Sequence, residues 1–182
     1  DLKQPILFDS WLDSVGTDQP FFTFFLLDAP HEPYSYPEEF VKFEPSVNDI
    51  NYLSLDKHVD IEPFYNHYKN AVNYSDHVIG EFLDTIKKRD LLKNSIIIIT
   101  SDHGAEFYEH GFWGHNSAFT KEQVMAPFIL YLPGKGAKKI DAITSHLDIA
   151  PTLLELMGSS ANHDNHSLGR SLLSNIEENR NF

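Results

Sequence analysis

The chain has 182 residues, a formal net charge of −13, ten histidines and no cysteine. That length suits one domain with a sizeable core, and the missing cysteines exclude disulfides, thiolate metal sites and a cysteine nucleophile. An acidic surface repels nucleic acid and anionic headgroups, so an anionic substrate would need a local cation to approach.

Residues 1–15 carry Ile6, Leu7, Trp11, Leu12 and Val15 at helical spacing. "FFTFFLL", Phe21–Leu27, is short, aromatic and almost wholly apolar, which predicts a strand buried on both faces. Pro30, Pro33, Pro37 and Pro45 then predict a long stiff loop. Residues 46–62 are polar and weakly patterned, fitting a loop or short helix. From Phe64 to Arg89 the pattern turns helical, with Tyr68, Val72, Ile79, Phe82, Leu83 and Ile86 on one stripe and Lys87, Lys88 and Arg89 at the C-terminal end. Ser95–Thr100 predicts a second buried strand and "APFILYLPG" a third. "SHLDIAPTLLELMG" has a helix start and stop: Asp148 can cap, Pro151 suits the first turn, and Gly158 ends it. The polar stretch 159–182 reads as a peripheral tail of a single domain covering 1–182. Strands alternating with helices give an α/β domain with a mostly parallel sheet flanked by helices. Function in such sheets gathers beyond the carboxyl ends of the strands.

Asp102 and His103 follow a strand directly. Neighbouring strand residues face opposite ways, so both reach one ion only if the chain turns at once, and Gly104 permits that. A carboxylate and an imidazole suit Zn²⁺ or Mn²⁺; equally, Asp102 can cap a helix while His103 packs. Two further histidines tip the balance towards a site. His115 lies beyond a loop with two glycines and two large aromatics that can fold back, and His31 arrives from the other strand end. Glu106, Glu109 and His110 read as solvated loop residues, with a supporting role open to one of them. His146 and Asp148 read as cap residues. His58, His67, His77, His163 and His166 read as surface, and Asp76 stays open between a structural and a site role.

"IIIITSDHGAEFYEHGFWGHNSAFTKEQVMAPFILYLPG", "SHLDIAPTLLELMG" and "FFTFFLLDAPHEPYSYPEEF" together resemble the C-terminal part of the sulfatase branch of the alkaline phosphatase superfamily. The similarity covers about residues 20–175. "PHEPYSYP", "WGHNS" and "HSLGRSLL" look most like inner-membrane sulfatase-like proteins that regulate lipopolysaccharide, with phosphoethanolamine transferases and lipoteichoic acid synthases next. The resemblance implies a fragment of an alkaline-phosphatase-like three-layer sandwich. It implies Asp102 and His103 as ligands of a divalent ion (Zn, Mn, Mg or Ca), and His115 and His31 as groups that hold transferred phosphoryl or sulfuryl oxygens, or a second metal. Ordinary sulfatases usually carry lysine where His115 stands, so a histidine there points to the phosphoryl side. The implied partner is a phosphate or sulfate ester, lipid-linked esters included, at the periplasmic face of the inner membrane. The family's Thr, Ser or modified-Cys nucleophile has no counterpart motif here, and Thr23 within the first strand is a poor substitute. The resemblance therefore implies a C-terminal fragment of a larger membrane-anchored protein, inactive alone. The alternative is a non-enzymatic, lipid-binding regulator of the cell envelope; a purely structural α/β module with incidental histidines is the third reading.

Overall fold

The computed structural model describes residues 1–48, 50–51, 55, 58–160, 162 and 165–173. Two compact units, Asp1–Lys135 and Gly136–Phe182, divide the chain.

The first unit is organised by two helices, α1 (Lys3–Val15) and α2 (Glu62–Lys88). Helix α1 has no side-chain cap; the Leu2 amide instead donates to the Tyr74 hydroxyl of α2 at 3.1 Å. Phe8 and Leu12 of α1 pack with Tyr74, Val78 and Phe82 of α2 into one core cluster. Burial of such side chains contributes about 1.5–3 kcal/mol each. The buried face of α1 is not the one its spacing suggested, for Ile6 and Leu7 point to solvent. Arg89, just past α2, donates to Asp9 at 2.6 Å and Asp13 at 2.7 Å, tying the two helices at the surface. These carboxylates raise the Arg89 pKa.

The inward face of α2 differs more from the expected stripe. Asn66, His67, Asn70 and Ser75 are buried beside Ala71, Tyr74, Val78 and Phe82, while Val72 is exposed. Ser75 donates to the Ala71 carbonyl of its own helix at 3.0 Å, and the other three are satisfied by the proline-rich loop. Asn70 Oδ1 accepts from the amides of Lys42 (2.9 Å) and Phe43 (2.8 Å), and its Nδ2 donates to the Phe43 carbonyl (3.0 Å). Asn66 donates to the Pro45 carbonyl at 2.9 Å. His67, expected at the surface, bonds the Tyr36 hydroxyl through Nδ1 at 2.8 Å and donates from Nε2 to the Pro33 carbonyl at 3.1 Å. A loop with prolines cannot satisfy its backbone groups in a ladder, so a helix supplies side chains to do it.

Phe21–Leu27 belongs to no helix and no ladder among the described residues. Phe25 packs on Phe8 and Phe82, and Phe21 on Trp11. Phe22 and Phe24 are 81% and 76% exposed. The expectation of a strand buried on both faces is therefore corrected: one side is covered by α1 and α2, and the alternate side chains face solvent.

Two antiparallel ladders complete the first unit. β1 (Ile97–Thr100) pairs with β4 (Phe128–Tyr131), Ile97 opposite Tyr131 and Thr100 opposite Phe128. β2 (Glu106–Phe107) pairs with β3 (Trp113–Gly114). The α/β class stands, while the ladders among the described residues are antiparallel where a mostly parallel sheet was expected. β1 is only half-buried, against the expected fully buried strand. A short helix, α3 (Lys121–Val124), joins β3 to β4.

In the second unit, Ser145 and Asp148 form a reciprocal capping box, and α4 spans Ile149–Leu156. Gly158 follows in a left-handed conformation, as a helix stop requires. Part of the stretch expected to be peripheral packs onto α4. The Arg170 amide donates to Asp148 Oδ1 at 2.8 Å, the Leu172 amide donates to Thr152 Oγ1 at 2.9 Å, and Ser171 and Leu172 are buried. His163 and 174–182 lie outside the described residues. Among the described residues no helix is long and apolar enough to cross a membrane.

Candidate active site

Packing brings the proline loop and the β2–β3 ribbon together. Tyr34, three residues past His31, shares a core cluster with Phe107 of β2 and Ala71 of α2, and Trp113 of β3 packs against it. Gly114 closes the gap. It adopts φ +88°, and a Cβ there would press on Glu32 Oε1 at 2.8 Å, so the glycine permits the close approach of the two loops.

Three imidazoles meet as a result. The ring centroids of His103 and His115 are 4.2 Å apart, and those of His31 and His115 are 6.0 Å apart. His31 Nδ1 donates to the Glu32 carbonyl at 2.7 Å, and His103 Nδ1 to the Gly104 carbonyl at 2.8 Å. A carbonyl oxygen only accepts, so both Nδ1 atoms carry hydrogen and both Nε2 atoms keep a lone pair in the neutral ring. Asp102 Oδ1 accepts from the His103 amide at 3.0 Å, and Oδ2 lies 3.7 Å from His103 Nε2. The Asp102 side chain is 87% exposed. The expected set of His31, Asp102, His103 and His115 is thus adjacent in space.

Gly104 acts differently from the turn expected of it. Its φ is not left-handed, but a Cβ would overlap the Glu122 carbonyl oxygen of α3. Its amide donates to the Gln123 carbonyl at 2.9 Å. The glycine lets α3 lie directly against the Asp102–His103 turn.

Glu106 corrects a second expectation. It is 1% exposed, not solvated. Gln123 of α3 donates to its Oε2, while its Oε1 has no hydrogen-bond partner among the described residues. Glu109 accepts from the Phe107 amide and stays exposed. His110 pairs with Glu122 at 3.0 Å. Glu122's own backbone and His110 hold its carboxyl below the usual range. Gln123 was absent from the sequence-derived set; a glutamine in a polar stretch carries no local signal of burial. Asp76 and His77 are exposed.

The family resemblance implies a divalent ion. Among the described residues, no group of three or more His, Asp or Glu side chains is placed to hold one. Asp102 and His103 offer two donors, short of the three protein ligands of a typical catalytic zinc site. The residues present therefore do not fit a complete metal centre.

An α/β chain with an imidazole cluster at its loop edge is the class this geometry defines. The sulfatase family model matches residues 4–159, and the chain belongs to the sulfatase family. A sulfatase of Formosa agariphila is 30% identical over 190 residues, covering 88% of this chain and 36% of the relative. An endo-4-O-sulfatase of Bacteroides thetaiotaomicron is 27% identical over 185 residues, covering 95% and 34%. A solved Bacteroides thetaiotaomicron structure, described under metabolism of multiple glycosaminoglycans, superposes with TM-score 0.74 at 28% identity, covering 94% of this chain and 38% of that one. The chain thus spans roughly a third of the length of these relatives.

Proposed function

We propose that this chain is part of a sulfatase that hydrolyses sulfate esters, with His31 and His115 holding the oxygens of the transferred group and Asp102 and His103 contributing donors for a divalent ion. The observation that carries the reading is the meeting of His31, His103 and His115 in a chain of this family, with centroid separations of 4.2 and 6.0 Å. Imidazoles drawn from separate segments can donate to the non-bridging oxygens of a charged ester, which lowers the barrier where that charge redistributes. The names of the relatives support sulfate over phosphate, although His115 in place of the usual lysine suggested phosphate. One relative is named an endo-4-O-sulfatase, which supports a carbohydrate sulfate as the substrate to try first.

The test uses the longest natural protein containing this chain, supplied with Ca²⁺, Mg²⁺, Mn²⁺ or Zn²⁺. It is offered 4-nitrophenyl sulfate, 4-nitrophenyl phosphate and sulfated glycosaminoglycan oligosaccharides. The expected result is sulfate release, reduced about 100-fold or more by His115→Ala or His103→Ala. Undiminished turnover in both variants would sink the assignment, and preferential phosphate release would reverse the substrate class.

Among the described residues the donor set falls short of a metal centre, which favours a second reading, a non-enzymatic sulfatase-like domain of the cell envelope. On this reading the parent binds an anionic lipid at the periplasmic face of the inner membrane without turnover. Vesicle co-sedimentation of the same protein, in parallel with the ester assay, separates the two.

A further inference from the structure

Gln123 is buried, and every polar position of its amide is engaged. Its Nε2 donates to Glu106 Oε2 and, at 2.6 Å, to Ser117 Oγ. Its Oε1 accepts from the amides of Ser117 at 3.2 Å and Ala118 at 3.4 Å. Its main-chain carbonyl accepts from the Gly104 amide at 2.9 Å. One residue thus grips the chain on both sides of the cluster: the backbone one residue past His103, and the loop two residues past His115. Between His115 and Ser117 lies Asn116 at φ +75°, so the chain reverses immediately after the imidazole. A reversal of this kind has no strand or helix to hold it and depends on local hydrogen bonds.

Glu106 is the other half of the device. A carboxylate only accepts, so its place beside Gln123 dictates which end of the amide faces it. The nitrogen must point to Glu106 and the oxygen to the Ser117 and Ala118 amides. Turning the amide over would set oxygen against oxygen and leave two amide hydrogens facing a nitrogen that cannot accept them. Burying a carboxyl group, one oxygen of which has no hydrogen-bond partner among the described residues, is costly.

We infer that Gln123, oriented by the buried Glu106 carboxylate, is a positioning residue that fixes His115 against His103. Neither side chain touches substrate in this assignment; both act through the backbone that carries the two imidazoles. The inference rests on the reading of His103 and His115 as site groups. Its test therefore measures ring geometry rather than turnover, so failure here and loss of the sulfatase reading are distinguishable.

The full chain is labelled for nuclear magnetic resonance, and cross-relaxation between the His103 and His115 ring protons is measured. Gln123→Met and Glu106→Leu are expected to abolish those cross-peaks while keeping the ones between Phe8 and Phe82 in the helical core. Glu106→Gln, which retains an acceptor oxygen for the Gln123 amide, is expected to keep them. Persistence of the His103–His115 cross-peaks in Gln123→Met overturns the inference. Loss in Glu106→Gln equal to that in Glu106→Leu overturns the role of Glu106. Should the apolar variants unfold, Ser117→Ala decides. It removes an exposed hydroxyl that Gln123 grips, and weakened cross-peaks with an intact core support the clamp, whereas unchanged ones refute it.

Discussion

Gly104→Ala is the substitution with the clearest arithmetic. The new Cβ would overlap the Glu122 carbonyl oxygen and stand 3.2 Å from its carbon and 3.5 Å from the Met125 carbonyl oxygen. Backbone cannot rotate out of the way as a side-chain tip can, so α3 must shift as a body. Overpacking of this kind costs about 1–3 kcal/mol. The shift also stretches the 2.9 Å bond from the Gly104 amide to the Gln123 carbonyl, adding about 0.5–1.5 kcal/mol. The expected total is about 1.5–4.5 kcal/mol, which for a chain of this size corresponds to a fall in Tm of roughly 3–18 °C. Urea titration followed by tryptophan fluorescence and a thermal melt by circular dichroism both report it. The same shift should separate the His103 and His115 rings, since α3 carries Gln123. A loss under about 0.5 kcal/mol, with the rings still adjacent, would mean that α3 does not rest on the Asp102–His103 turn.

Asn70→Ala removes the acceptor for the Lys42 and Phe43 amides and the donor to the Phe43 carbonyl, all at a fully buried site. A loss of about 2–4 kcal/mol in urea titration is expected; Asn70→Asp, which keeps the acceptor, should lose less. Tyr68 has its phenol pKa raised by burial first and by Tyr65 second. The folded state therefore holds that proton more tightly than the unfolded state. Its contribution is full below the ordinary phenol pKa of about 10 and declines as pH rises through the raised value. Tyr68→Phe should flatten the alkaline limb of the stability curve measured between pH 9 and about 11. With Asp102 and His103 as the candidate donors among the described residues, isothermal titration of this chain with Zn²⁺ or Mn²⁺ should show no sub-micromolar binding that Asp102→Ala abolishes.

How much of this was legible beforehand depends on what kind of signal each residue carries. The existence of α1 and α2 followed from periodicity, and a capping role for Asp148 followed from its residue type, although its partner in the box, Ser145, was not foreseen. The buried face of α2 did not, because Asn66, His67 and Asn70 are inward-facing only by virtue of the backbone they satisfy across the proline loop. An apolar stripe cannot announce a partner distant in sequence. The same ignorance misread Phe21–Leu27: a short apolar run is equally consistent with burial on two faces or on one. His31 and His103 could be grouped because each follows a strand-like run, and His115 because the loop before it, with two glycines and two large aromatics, can fold back. Glu106 and Gln123 could not, since their burial arises only when β2, β3 and α3 close around them.

The alternation along Phe22, Phe24 and Leu26 has a practical side. These exposed side chains lie along a stretch that joins no ladder among the described residues. Such stretches recruit like strands from neighbouring molecules, and nothing charged interrupts this one between Phe21 and Leu27. Purified at millimolar concentration, the 182-residue polypeptide should cluster through this edge, and a lysine in place of Phe24 should keep it dispersed.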